Sequence, residues 1–239
     1  MSRPERRLVA LDFDGTLAAL RRAPASVRLP EPRRRLLARL ARTPGTTVLV
    51  VSGRPRSFLR RVLAGAGAAL SAEHGWLLEG VGPRWRHPLL RRRARQARVL
   101  AAAARRTARA WPGARVEAKT VAVAVHWRLA PSVVRDPRPM RRALRALVPA
   151  GWRLTGGKRV FEFRPSDRWG KGEAIRLAAR RLRAAVVFIG DDETDEEAFR
   201  LLGRGARTVK VGFGRTEARE RVAGIRGVDA LLRGLARSA

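Results

Sequence analysis

Short apolar runs alternate with longer stretches in which leucine and alanine recur at helical spacing. RLVALDF (7–13), TTVLVVS (46–52), ALSAEHG (69–75), AAVVFIG (184–190) and RTVKVG (207–212) read as strands. They are short, nearly continuous in apolar residues and rich in β-branched side chains, the pattern of strands buried on both faces. PEPRRRLLARLAR (30–42) and RPRSFLRRVLAG (54–65) have helical periodicity, the latter with Pro55 in its first turn. Further helices are expected from about Gly170, over 195–203 and over 228–237. Strands alternating with helices predict a parallel α/β sheet.

The texture changes in the middle of the chain. A long Arg/Ala helix (89–110) precedes two strands (115–119 and 121–128), a helix (132–147), and two more strands, 152–155 and 159–165, joined by a Gly-Gly turn. This α-β-β-α-β-β order belongs to an antiparallel sheet. The sequence therefore predicts a core of residues 1–85 and 165–239 with a second domain, 86–164, inserted into it.

Asp12 and Asp14 stand two apart at the end of the first apolar strand, where side chains share a face. Buried carboxylates need a cation or a hydrogen-bonding partner. Asp191 and Asp192 close another strand, and functional groups gather at the C-terminal ends of parallel strands. If the two strands are neighbours, three or four carboxylates converge, and an all-oxygen cluster fits a hard cation, Mg²⁺ above all. Ser52-Gly53-Arg54-Pro55 joins a strand end to a helix start, a natural anion seat. Lys171, in WGKGEAI, starts another helix, where its ammonium can neutralise phosphate. Together these suit phosphoryl transfer to a carboxylate, followed by hydrolysis.

Composition narrows the reading. The chain has 239 residues and no cysteine, which excludes disulfides, thiolate metal sites and cysteine nucleophiles. The net charge of +33 invites a nucleic-acid reading, but arginine supplies 49 of the 53 basic residues, is spread over many helix faces and accompanies abundant alanine, the mark of a GC-rich genome. No specific nucleic-acid partner is expected. Neither a signal-peptide core nor a run of about 20 apolar residues is present, so a soluble cytoplasmic protein without a membrane partner is the expectation. Of only 20 acidic residues, six fall in GDDETDEEAF (190–199).

DFDGTL, VSGRP, the Lys171 context and GDD, in this order, resemble the haloacid-dehalogenase-like phosphatase superfamily. AEHG (72–75), VEAKTVAVAVHWR (116–128), GGKRVFEFRP (156–165), WGKGEAI and GDDETDEEAF are similar to blocks of the trehalose-6-phosphate phosphatase family. The resemblance implies a doubly wound, Rossmann-like parallel-sheet core with an inserted α+β cap, and Mg²⁺-dependent hydrolysis of trehalose 6-phosphate. Asp12 would be the nucleophile and Asp14 the acid and then the base, while Ser52 and Lys171 would hold the phosphoryl oxygens. Mg²⁺ would take Asp12, the Asp14 backbone carbonyl and Asp191, with Asp192 behind them. Asp195 stands evenly between that role and a structural one. Glu117, Lys119, Arg128 and Glu162 would read the sugar hydroxyls, with Arg54, His74 and Gly75 as further substrate contacts.

On spacing alone, Glu117, Lys119 and Glu162 fit solvent-facing strand positions. Arg128 is preferred over His126 for contact, and His87 is assigned nothing. Glu196 and Glu197 read as an acidic first turn, with Thr194 and Glu197 as a capping box. Alternatives are a phosphatase of sucrose 6-phosphate or mannosyl-3-phosphoglycerate, and a catalytically silent partner in trehalose synthesis. A trehalose-6-phosphate synthase is a possible partner of the arginine-rich surface.

Overall fold

The computed structural model describes residues 6–19, 27–157 and 159–237. In chain order it contains β1 (Arg7–Leu11), α1 (Glu31–Ala41), β2 (Thr46–Val51), α2 (Arg56–Val62), β3 (Ala69–Ala72), β4 (Leu77–Glu79) and β5 (Trp85–Arg86). There follow α3 (Leu90–Ala108), β6 (Arg115–Ala118), β7 (Val123–His126), α4 (Pro131–Arg135), α5 (Arg138–Arg145), β8 (Trp152–Gly157) and β9 (Val160–Pro165). The chain finishes with α6 (Lys171–Leu182), β10 (Ala185–Gly190), α7 (Glu193–Leu202), β11 (Ala206–Val211), β12 (Glu220–Val222) and α8 (Ile225–Leu235). Two compact units result, one of residues 1–86 and 169–239, the other of 87–168.

The larger unit holds an eight-stranded sheet in the order β12-β11-β10-β1-β2-β3-β4-β5. Pairing is parallel from β12 to β3. β1 lies between β10 and β2, so the winding reverses there, and ligands of such sheets bind at that switch point. Leu8, Ala10, Leu49, Val51 and Phe188 pack on one face with Ile175 and Ala178 of α6 and Ala198 and Phe199 of α7. α1 and α8 pack together, clamped by a bidentate Arg33–Asp229 pair at 2.7 Å for each bond.

The smaller unit is an antiparallel sheet, β6-β7-β9-β8. Alternation sends Val123, Val125, Phe161 and Phe163 into a core with Leu100 and Ala104 of α3 and Met140 and Leu144 of α5. The same alternation turns Glu117, His126, Glu162 and Thr155 to the other face.

Several elements differ from expectation for local reasons. β1 stops at Leu11, so Asp12 and Asp14 lie just beyond the strand. The 69–75 strand ends at Ala72 because Glu73 and His74 take positive φ of 55° and 58° in a single tight turn. The antiparallel strands β4 and β5 and the terminal strand β12, each two or three residues long, were too short to show periodicity. The 132–147 helix breaks at Asp136, which is extended (φ −144°), as a residue before proline prefers. The Gly-Gly turn is displaced: Gly156 and Gly157 pair with Phe161 and Val160 inside the hairpin. The inserted unit also reaches Arg168 rather than 164. Asp167 accepts both Arg93 bonds (2.7 and 2.8 Å) and Ser166 N–H donates to Gly151 O (2.9 Å), tying the segment to that unit.

Candidate active site

At the switch point, Asp12 follows β1 and its N–H donates to Ile189 O of β10 (2.9 Å). Its carboxylate is buried, 3% exposed, and Oδ1 accepts from Lys171 Nζ at 2.7 Å. Lys171, the first residue of α6, is equally buried and also donates to Asp195 Oδ1 at 2.7 Å. Asp192 Oδ1 lies 3.5 Å from the same ammonium. An ammonium so withdrawn from water is stable only because carboxylates surround it. Burial pushes its pKa down, but Asp12, Asp192 and Asp195 outweigh that and hold it well above the usual lysine range. Burial drives Asp12 well above the usual carboxylate range against the pull of Lys171.

Asp195 organises the loop after β10. Its Oδ2 accepts from the N–H groups of Asp191 (2.8 Å) and Asp192 (3.0 Å). Burial raises it to about 7. The capping box of α7 is therefore Asp192 with Asp195, not Thr194 with Glu197. Asp192 Oδ1 accepts from Asp195 N–H and the Thr194 hydroxyl, so this residue caps α7 beside the Lys171 ammonium.

Carboxylate oxygens of Asp12, Asp191 and Asp195 lie within 4.8 Å of one another. This all-oxygen set fits a hard divalent cation. Both Asp195 oxygens are engaged by the protein, whereas Asp12 and Asp191 each have one carboxylate oxygen taken by a side chain. Asp191 is raised to about 6 by burial and by Asp192, and accepts from the Thr16 hydroxyl at 3.3 Å. Its backbone carbonyl is held by Lys210 Nζ (2.7 Å), which also meets Glu196 Oε1 at 3.0 Å. Thr16 and Lys210 escaped the sequence reading. The scarcity of lysine, four in the chain, was the available signal for Lys210.

The second carboxylate of the opening motif is held separately. Arg54 clasps Asp14 with Nε to Oδ2 at 2.6 Å and Nη2 to Oδ1 at 2.7 Å. Ser52, at the end of β2, is buried, and its Oγ accepts from Arg54 N–H (3.2 Å). His74 lies so close over Gly53 that a side chain there would clash with the imidazole. Gly75 (φ +101°) meets the Gly170 carbonyl where any Cβ would intrude, and its own carbonyl accepts from Trp169 Nε1 at 2.9 Å. Gly75 thus docks its turn beside the Lys171 helix start.

In the smaller unit, Lys119 Nζ donates to Glu162 Oε1 at 2.6 Å, and His126 Nε2 lies 2.8 Å from Glu117 Oε2. Glu117 and Glu162 flank Ala124 across the sheet. Arg128 differs from expectation: β7 ends at His126, the chain turns, and Arg128 is exposed in that turn. His126, passed over on sequence, is the residue on the polar face.

A doubly wound sheet with an inserted α+β unit and carboxylates at its switch point is the haloacid-dehalogenase-like architecture. Within that class, the family model for trehalose-phosphatase matches residues 10–223, and the chain belongs to that family. It is 36% identical to the bifunctional trehalose-6-phosphate synthase/phosphatase of Thermoproteus tenax over 97% of this chain, and spans 32% of that protein's length. It is 32% identical to a probable trehalose-phosphate phosphatase of Sinorhizobium fredii, covering 84% of this chain and 76% of that one. A crystal structure of a trehalose-6-phosphate phosphatase related protein superposes with a TM-score of 0.79 at 26% identity, covering 96% of each chain.

Proposed function

We propose that this protein hydrolyses trehalose 6-phosphate to trehalose and phosphate. One observation carries the reading: a buried carboxylate, Asp12, at the mouth of the switch-point strand, with one oxygen fixed by Lys171 and the other accepting no hydrogen bond from the described residues. Asp12 Oδ2 attacks phosphorus, the phosphorus–oxygen bond to the sugar breaks, and an aspartyl-phosphate forms. Asp14 gives a proton to the departing sugar oxygen, then takes one from the water that attacks the phosphorus and restores Asp12. Before the first step Asp14 has to leave the Arg54 fork and take up that proton, so Arg54 positions Asp14 and then turns to substrate. Ser52 and Lys171 hold the phosphoryl oxygens. A divalent cation, in our reading Mg²⁺, would sit on Asp12, the Asp14 carbonyl and Asp191 and neutralise charge developing on the transferred group.

For the smaller unit we propose a substrate-specificity cap, whose Glu117, Lys119, His126 and Glu162 provide paired donors and acceptors suited to sugar hydroxyls. The fused relative from Thermoproteus tenax supports a functional link to a synthase. A cytoplasmic setting is part of this proposal; among the described residues no helix is long and apolar enough to cross a membrane.

The test is phosphate release, with and without Mg²⁺, from trehalose 6-phosphate, sucrose 6-phosphate, glucose 6-phosphate, mannosyl-3-phosphoglycerate and an aryl phosphate. A strong Mg²⁺-dependent preference for the trehalose ester is expected. Preference for another sugar ester would overturn the substrate and keep the chemistry. No release from any would point to a silent partner.

A further inference from the structure

The end of the large sheet away from the carboxylates carries a cavity of about 540 Å³ at the N-terminal ends of β1, β2, β10 and β11. Ala185 and Gly190, at the two ends of β10, are about 17 Å apart at the usual strand rise, so this cavity is separate from the site above. Arg6, Arg7, Arg204, Arg207 and Arg219 line it against one acid, Glu220. Arginine is 49 of 239 residues, so composition alone would put about three in a wall of this size. The register gathers them: Arg7 pairs with Ala185 and Arg207 with Val187, so both guanidiniums rise beside β10 from the same face of the sheet.

Among the described residues their charges are largely unmatched: only Arg207 is neutralised, by a bidentate pair with Glu220 at 2.8 Å for each bond. Arg7 is spent on Thr46 Oγ1 and Leu235 O, Arg6 on Leu182 O, and Arg219 on Arg204 O. The Arg204 side chain has no hydrogen-bond or ion-pair partner among the described residues. Elsewhere in this unit, by contrast, Arg33, Arg54 and Arg56 each close on a carboxylate. Four net positive charges around one concavity focus the field into it. The buried Val186, Val187 and Ala206 supply apolar lining beneath the arginines, and a low-dielectric wall strengthens ionic contacts beside it.

We propose that this cavity is a second ligand site, for a compact anion carrying two or more phosphate groups. Guanidinium forks match phosphate oxygens in pairs, and the volume lies in the range of small-molecule sites, about 300–1,000 Å³. The inference does not depend on the reaction proposed above.

The test is calorimetric titration of the full chain with inorganic tripolyphosphate at roughly 0.15 M salt. Saturable one-to-one binding is expected, with orthophosphate at least about tenfold weaker. Arg204→Glu with Arg219→Glu, both exposed, should weaken binding by about tenfold or more, because two charge-assisted contacts are lost. The same charge change on exposed α3, Arg92→Glu with Arg95→Glu, should leave it within about twofold. Equal loss in both double variants would mean diffuse attraction and overturn the site, as would the absence of saturation. Loss only in Lys171→Met would place the anion at the carboxylates instead. Melting temperatures check folding, and should the double variant be unstable, Arg204→Gln, which breaks no contact in the fold, carries the same test.

Discussion

The two compact units handle charge in opposite ways. In the larger, Asp12, Lys171 and Asp195 are withdrawn from water at one end of a parallel sheet, each within hydrogen-bond distance of its partner. In the smaller, Glu117 with His126 and Lys119 with Glu162 lie on one face of an antiparallel sheet, with side chains 17% to 43% exposed. A buried ion without partners is costly, so the first set has to be complete or the fold suffers. An exposed pair contributes little to stability, so the second set is held by geometry that many solvated strands share. Under the proposed function, the contrast separates residues whose removal should hurt both fold and chemistry from residues whose removal should change recognition alone.

The largest effect should come from Asp12→Asn, which keeps shape and burial while removing the proposed nucleophile. Turnover should fall by on the order of 10⁴-fold or more, with far-UV circular dichroism unchanged. Next, Lys171→Met should cost stability as well as activity, because Asp12 and Asp195 lose their shared cation. On the order of 3–5 kcal/mol is expected in urea unfolding. Retention of full stability would contradict the burial argument.

Lys210→Met comes third. It frees the Asp191 carbonyl and leaves Glu196 without its ion pair, so divalent-cation affinity measured by calorimetry should drop about 10–100-fold. Glu162→Ala should act on the other unit alone. KM for the sugar phosphate should rise about tenfold while an aryl phosphate is used as before, in keeping with the loss of one charged contact. Equal losses on both substrates would dissolve the distinction between the two regions.

The smallest effect concerns Asp167, held below the usual carboxylate range by hydrogen bonds from Arg93. A carboxylate whose folded pKa is depressed stabilises the fold above its ordinary value and ceases to do so as pH falls through the folded value. Asp167→Asn should therefore flatten acid unfolding below about pH 4, by on the order of 1 kcal/mol, and leave neutral-pH catalysis intact.

The same contrast explains how much was legible in the sequence. Strands β1, β2, β10 and β11 were plain because burial on both faces leaves continuous apolar runs. Asp12, Lys171 and Asp191 stood out because each directly follows an apolar strand or starts a helix. Asp195 was obscured by the acidic residues around it, and its pairing with Lys171 needs the fold to bring residues 24 apart together. The Arg54–Asp14 clasp was hidden for the same reason, its partners standing 40 positions apart. In the smaller unit the alternation around Val125 and Phe161 gave the sheet its two faces, but the preference for Arg128 over His126 rested on a strand running to residue 128, whereas β7 stops at His126 before a turn after Trp127.

The most direct test of the central claim is to trap the covalent intermediate. The protein would be mixed with trehalose 6-phosphate and Mg²⁺, quenched in acid within the first turnover, digested and weighed. The account predicts one phosphoryl group on the peptide that contains Asp12, and fragmentation that places it on that side chain. Rapid turnover with the label on another residue, or with none at all in a burst that is otherwise resolved, would contradict it.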